Sequence, residues 1–182
     1  KDTDNIDSYA VQADGLLTGP TPQHEAGNGP FGFAFDGNGH LVISEILGSS
    51  ASSYTVTNGV LQIVTAKLKD FGRAACWTAC TSGTTIPQQY AYLSNTNSDS
   101  ISGYAVAANG SLSLLNPDGR TFQLPTGAFP LELVISNDNE YLSVLEGNLP
   151  GVAVFQIQSN GSLVQIQAVT GIPASSSGMI GY

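Results

Sequence analysis

The phrase Ile101-Ser102-Gly103-Tyr104-Ala105-Val106-Ala107-Ala108-Asn109-Gly110-Ser111-Leu112 has three degraded relatives along the chain. They are Ser8-Tyr9-Ala10-Val11 with Asp14-Gly15-Leu16, Ser53-Tyr54-Thr55-Val56 with Asn58-Gly59-Val60, and Ala153-Val154-Phe155-Gln156-Ile157 with Asn160-Gly161-Ser162-Leu163. The aromatic anchors Tyr9, Tyr54, Tyr104 and Phe155 are spaced by 45, 50 and 51 residues. That interval suits one four-stranded propeller blade, a unit that buries its apolar faces only by stacking on neighbours. The repeat overrides a length-based count of domains, so residues 1–182 read as a single all-β unit.

Within each copy, period-two runs of Val, Ile, Tyr, Phe and Thr are broken by Asn-Gly, Asp-Gly or Gly-Asn-Gly turns, the pattern of antiparallel hairpins. The first full blade is predicted with strands at 30–35, 41–45, 51–57 and 60–67, and the second at 74–81, 90–94, 100–107 and 111–115, with 122–124 extending its edge. The third has strands at 130–136, 141–145, 152–157 and 163–169. An N-terminal pair, 7–11 and 16–18, and a C-terminal strand, 178–182, flank them. The blade boundaries fall near 1–29 (partial), 30–73, 74–128, 129–172 and 173–182 (partial).

Propellers close with four to eight blades. A monomer closes if the C-terminal strand joins the N-terminal pair as a fourth blade, turning about 90° per blade; a symmetric homodimer closes if each C-terminal strand completes its partner's half blade, turning about 45°. The homodimer is the expected closure. An open half ring exposes apolar blade faces and unpaired edges, and large aromatic and branched residues suit the shallow wedge of a large ring.

Fourteen acidic side chains against five basic ones give a net charge of -9, and Lys1, Lys67, Lys69, Arg73 and Arg120 form no long basic tract. Nucleic acid and anionic membranes are poor partners for such a surface. No apolar run reaches the roughly 18 residues of a membrane span. The sequons Asn109-Gly110-Ser111 and Asn160-Gly161-Ser162 fall on hairpin turns, where a glycan fits. Together with a start at Lys1 read as a processing point, they predict a secreted glycoprotein. In one continuous strand, Cys76 and Cys80 lie roughly 13 Å apart, beyond the roughly 7 Å a disulfide spans. The choices are free thiols, a disulfide across a turn after Trp77, or ligand or metal attachment.

Pro30-Phe31-Gly32-Phe33-Ala34-Phe35-Asp36 with Leu41-Val42-Ile43-Ser44-Glu45, then Ala74-Ala75-Cys76-Trp77, Ser94-Asn95-Thr96, Ile101-Ser102-Gly103-Tyr104 and Gly171-Ile172-Pro173-Ala174, resemble the lactonase-type β-propellers. That family includes 6-phosphogluconolactonases and fungal 3-carboxymuconate cyclases. The resemblance covers most of the chain and implies the C-terminal half of a ring about twice this long. It also implies catalytic His, Arg and Glu residues drawn from blades all round that ring. Fold does not transfer function, so the site must be argued from residues.

In a blade, the loop into the first strand and the loop out of the second lie on one face of the ring. His24-Glu25, Arg73 and Phe129 stand on lead-in loops, while Glu45, Asn95 and Glu146 hold corresponding positions at the exits. Glu45, Arg73 and Glu146 are the catalytic candidates, with Glu to activate water and Arg to hold a carboxylate or oxyanion. His24, Asn95, Trp77 and Phe129 are the ligand-binding candidates, and Phe31 offers a further aromatic wall. The plainer reading makes Glu45 and Glu146 solvated strand ends, pairs Arg73 with Asp70, and packs the aromatics between blades. His40 reads as a solvated turn residue on the opposite face. The loops 95–100 and 137–140 read as turns without calcium-loop spacing. No nucleophile elbow, phosphate loop or dinucleotide fingerprint occurs, and the sequence identifies no cofactor and predicts no metal site. The expected function is binding of a small organic molecule, such as an aromatic metabolite or pigment, by a homodimer without full catalytic machinery. The alternatives are a lactone hydrolase or cyclase, and a structural or protein-binding propeller.

Overall fold

The computed structural model describes residues 4–83, 87–173 and 176–181. Lys1, Ala174 and Tyr182, each part of an expectation above, lie outside these residues. The described residues form β1 (Asn5–Val11), β2 (Leu17–His24), β3 (Pro30–Phe35), β4 (Leu41–Glu45), β5 (Ser50–Thr57), β6 (Val60–Lys69), β7 (Ala75–Cys80), β8 (Gln89–Asn95), β9 (Ser100–Val106), β10 (Leu112–Leu114), β11 (Phe122–Gln123), β12 (Pro130–Ile135), β13 (Tyr141–Glu146), β14 (Gly151–Ile157) and β15 (Leu163–Thr170). A single 3-10 turn, Thr96–Ser98, is their only helical segment.

Three antiparallel sheets, β3-β4-β5-β6, β7-β8-β9-β10 and β12-β13-β14-β15, are the full blades, preceded by the hairpin β1-β2. β11 pairs with β9 at Ile101 and Ser100, in line with β10, so it extends the outer edge as expected. β2 runs six residues past its expected end, and His24 becomes its last residue, opposite Asn5.

The repeat anchors show why the blades stack. Tyr54, Tyr104 and Phe155 are almost wholly buried, each at the same register of its blade's third strand. Tyr54 joins Leu41, Ile43 and Ile6 between the hairpin and the first blade. Tyr104 joins Val42, Ala75 and Leu93 between the first and second blades. Phe155 joins Tyr92, Ile101 and Leu133 between the second and third. Burying each ring is worth about 2–3 kcal/mol. Tyr9, the matching residue of the hairpin, is 50% exposed because no inner strands flank it among the described residues.

All three first strands slip register, between Pro30 and Phe33, Ala75 and Thr78, and Pro130 and Leu133. Such bulges re-aim side chains. In the first two blades a serine of the second strand holds the bulge: Ser44 Oγ accepts from Gly32 N at 2.9 Å and Ser94 Oγ from Trp77 N at 3.1 Å. The same hydroxyls reach the next blade, Ser44 donating to the Cys76 carbonyl and Ser94 to the Leu131 carbonyl.

The expected C-terminal strand does not form. Residues 178–181 run along β12 instead, with Gly178 N donating to Glu132 Oε2 at 2.7 Å and Gly181 seated against the Ile135 carbonyl. β7 lies against β3, and β12 against β7, in the same manner. A first strand meets the neighbouring blade with its face but makes its ladder with the second strand of its own blade. No second strand stands beside 178–181 among the described residues, so the segment keeps its place without the ladder.

Candidate functional site

The loops at the rim are built from one repeated device. Asp4, Ser49 and Asp99 precede β1, β5 and β9 with left-handed φ, and their side chains accept backbone N–H groups from the lead-in loops. Gly29 N donates to Asp4 Oδ1 at 2.7 Å, Ala74 N to Ser49 Oγ at 3.1 Å, and Phe129 N to Asp99 Oδ1 at 2.8 Å. The lead-in residues Gly29, Ala74 and Phe129 themselves carry positive φ. This conformation costs a side chain of order 1 kcal/mol and persists where surrounding bonds over-determine it.

Beneath these loops sit the second-strand ends. Glu45, Asn95 and Glu146 are buried, contrary to the reading of Glu45 and Glu146 as solvated; in the first two blades the loop before the first strand folds over Glu45 and Asn95. Glu45 receives the Ser50 and Ser52 hydroxyls and lies against Glu25, and a side chain at Gly27 would overlap its carboxyl. Glu25 is equally enclosed, and neither of its oxygens receives a well-formed hydrogen bond. Burial first, then the facing Glu45 carboxyl and the charge of Asp4, push the Glu25 pKa up to about 8. Burial likewise pushes the nearby Tyr54 hydroxyl up to about 12.

The second blade repeats the arrangement with different chemistry. Asp70 stands where Glu25 does, accepting Gly72 N at 2.8 Å, and Asn95 stands where Glu45 does, donating to Ser102 Oγ at 2.7 Å. A side chain at Gly72 would overlap the Asn95 amide. Burial raises the Asp70 pKa, opposed by hydrogen bonds from Gly72, Ser102 and Asn95. In the third blade Glu146 has Gly151 and Ala153 at the serine positions, Oε1 has no hydrogen-bond partner, and burial raises its pKa.

The other candidates are dispersed. Arg73 is exposed and does not pair with Asp70; its Nη2 donates to the Asn97 carbonyl at 2.9 Å and its backbone N–H to Ser98 Oγ at 3.0 Å. This caps the Thr96–Ser98 turn. His24 is exposed at the end of β2. Phe129 is half-buried where Asp99 holds its backbone. Trp77 is 39% exposed on the innermost strand of its blade, with Phe31 edge-on at a ring separation of 5.5 Å.

His40 is not solvated. Its Nδ1 lies 2.9 Å from Asp36 Oδ2, its N–H donates to Asp36 Oδ1 at 2.7 Å, and Gly110 of the next blade packs on the ring. Any side chain at Gly110 would approach His40 Cδ2 to 2.6 Å, so glycine serves both the turn and the seam. Cys76 and Cys80 are free thiols on β7, which has a bulge rather than a turn after Trp77, and burial raises the Cys80 pKa. Among the described residues no three metal-ligating side chains cluster.

Glu25 and Asp70 are the partners that spacing alone overlooks. The signal is an acid-x-Gly triplet, Glu25-Ala26-Gly27 and Asp70-Phe71-Gly72, five residues before the first strand, matched by Ser50-Ala51-Ser52 and Ser100-Ile101-Ser102.

Comparison with known proteins agrees with this architecture. A family model described as lactonase, 7-bladed beta-propeller, matches residues 1–177. A candidate 6-phosphogluconolactonase from Bacteroides fragilis superposes with a TM-score of 0.75 at 21% identity, over 93% of this chain and 49% of that one. A Lactobacillus plantarum protein gives 0.72 at 18% identity, over 93% and 52%. The periplasmic gluconolactonase of Pseudomonas aeruginosa gives 0.53 at 18% identity, over 97% and 67%. No curated protein sequence matches. The chain spans about half the length of the first two structures, and identities this low speak for the fold alone. With three stacked blades, a shared rim device and a family match over nearly its whole length, the chain belongs to the lactonase family of β-propellers.

Proposed function

We propose that this chain is one half of a lactonase-type ring that binds a small organic molecule of the cyclic-ester class against the axial wall formed by Phe31 and Trp77. The supporting observation is Trp77 itself. The bulge of β7, held by Ser94, keeps a large aromatic part-exposed on an innermost strand, with Phe31 of the first blade packed edge-on against it. An aromatic face of this kind takes the ring of a sugar lactone or an aromatic metabolite by stacking. The neighbours described as gluconolactonases make lactones the first ligands to test.

Catalysis is a separate matter. A general base must meet the attacking water or the substrate. Glu45 is wholly buried and Glu25 is 2% exposed, so the half ring supplies binding while hydrolysis calls on groups from the other half. That other half is, in the simplest case, a second copy. Tyr9, Val11, Leu16, Leu17, Phe33 and Phe35 are exposed on one flank, and a cavity of about 350 Å³ opens between the hairpin and β3. Asn109 and Asn160 are exposed at their turn tips, as glycosylation of a secreted form requires.

Trp77 is the only tryptophan, so its fluorescence reports the site directly. Titration with δ-gluconolactone is expected to give a saturable change, weakened about five- to tenfold in Phe31→Ala, the worth of one aromatic contact. A fluorescence signal that stays flat to millimolar lactone removes the proposal.

A further inference from the structure

The two rim pairs are a natural comparison built into one chain. Asp70 faces the Asn95 amide in the second blade, and Glu25 faces the Glu45 carboxyl in the first, each beneath a glycine and beside a serine of the third strand. An amide turned toward a carboxylate offers it an N–H. A carboxyl in the same position has nothing to offer unless it carries a proton, and two enclosed carboxylates in contact do not both ionise.

The first-blade pair also sits where the hairpin is fastened. Glu25 N donates to the Asp4 carbonyl at 2.8 Å and Gly29 N to Asp4 Oδ1 at 2.7 Å, on the hairpin side. Ala26 N donates to the Tyr54 hydroxyl at 2.9 Å and Ile46 N to the Gly29 carbonyl at 3.0 Å, on the blade side. Residues 25–29 are therefore the strap between β1-β2 and β3-β6, and Gly27 rests directly on the Glu45 carboxyl.

We propose that Glu25 and Glu45 form a proton-held latch: one shared proton keeps the 25–29 strap down, and its loss releases the β1-β2 hairpin from the first blade. The groups facing the pair are Asp4 from the hairpin, Ser50, Ser52 and Tyr54 from β5, and more distantly Tyr104 from β9, which Asp70 of the next lead-in loop also reaches. The ion pairs among the described residues, His40 with Asp36 and Arg120 with Asp118, bring no cation to it. Ionising both carboxyls thus adds repulsion with no ion-paired counter-charge among the described residues. The elevated Glu25 pKa places the transition near pH 8. The proposal does not rest on ligand binding.

Hydrogen exchange of residues 5–24, followed by mass spectrometry at pH 6 and pH 9 and corrected for intrinsic rates, tests it. The wild-type hairpin is expected to exchange at least tenfold faster at pH 9 than at pH 6. Glu45→Gln, which installs the acid-amide chemistry of the second blade, is expected to hold the hairpin equally at both, and Glu25→Gln to do the same should the first variant not fold. Corrected exchange that is unchanged in the wild type overturns the latch. So does a pH response that persists in either folded variant.

Discussion

Asn95 and Glu45 occupy the same place in successive blades and differ by an amide against an acid, which makes the cost of a buried carboxyl measurable one residue at a time. Asn95→Asp creates a carboxyl pair with Asp70 and removes the side-chain N–H that faces it, leaving the Gly72 N–H in place. An uncompensated buried polar group costs about 1–3 kcal/mol, so the variant is expected to lose that much stability at pH 8 and to recover most of it at pH 5, read by urea unfolding. The wild type follows the same sign. The Glu25 pKa is raised on folding, so the native chain binds the proton more tightly than the unfolded one. Its contribution is therefore complete below about pH 4.5 and is lost as pH climbs through about 8. Raised Asp70 and Glu146 pKa values act in the same direction. Thermal unfolding between pH 5 and 9 should show a falling melting temperature, with a shallower slope in Glu25→Gln. None of this chemistry was legible from Glu45 alone. A charged residue at a strand end reads as solvated, and only the fold of a distant loop over it decides otherwise.

Among the strands, the period-two pattern and the Asn-Gly turns are local signals, which is why the twelve main strands of the three blades form within two residues of their expected ends. What local pattern misses is the neighbour. Gly178 to Gly181 carry the composition of a first strand and take its position against β12, but a ladder needs a second strand beside them. The anchors make the same point quantitatively. Tyr104→Ala is expected to cost about 3–5 kcal/mol, the usual range for emptying a buried aromatic site, whereas Tyr9→Ala should cost less than about 1 kcal/mol because half its surface already faces water. Chemical denaturation of the two variants checks the ratio. Ser44→Ala tests the seam: it removes the hydroxyl that joins Gly32 of one blade to the Cys76 carbonyl of the next, and about 1–2 kcal/mol of stability should go with it.

For the molecule as a whole, the repeat phase carries the main conclusion. The hairpin matches the outer half of a blade, and residues 178–181 stand where the next blade's inner strand belongs, so the two flanks of the half ring are complementary in kind. On one flank lie Tyr9, Leu16, Leu17, Phe33 and Phe35, and on the other Val134, Tyr141 and Val152 are partly covered by Met179 and Ile180. Apolar faces and strand edges of this extent are rarely left open, and we propose that a twofold pair covers both. Trp77 would then look into a channel bounded on all sides. Native mass spectrometry of the purified chain at low micromolar concentration tests this most directly: a dimer of twice 18.8 kDa is the predicted ion, and a strictly monomeric ion contradicts closure by a second copy.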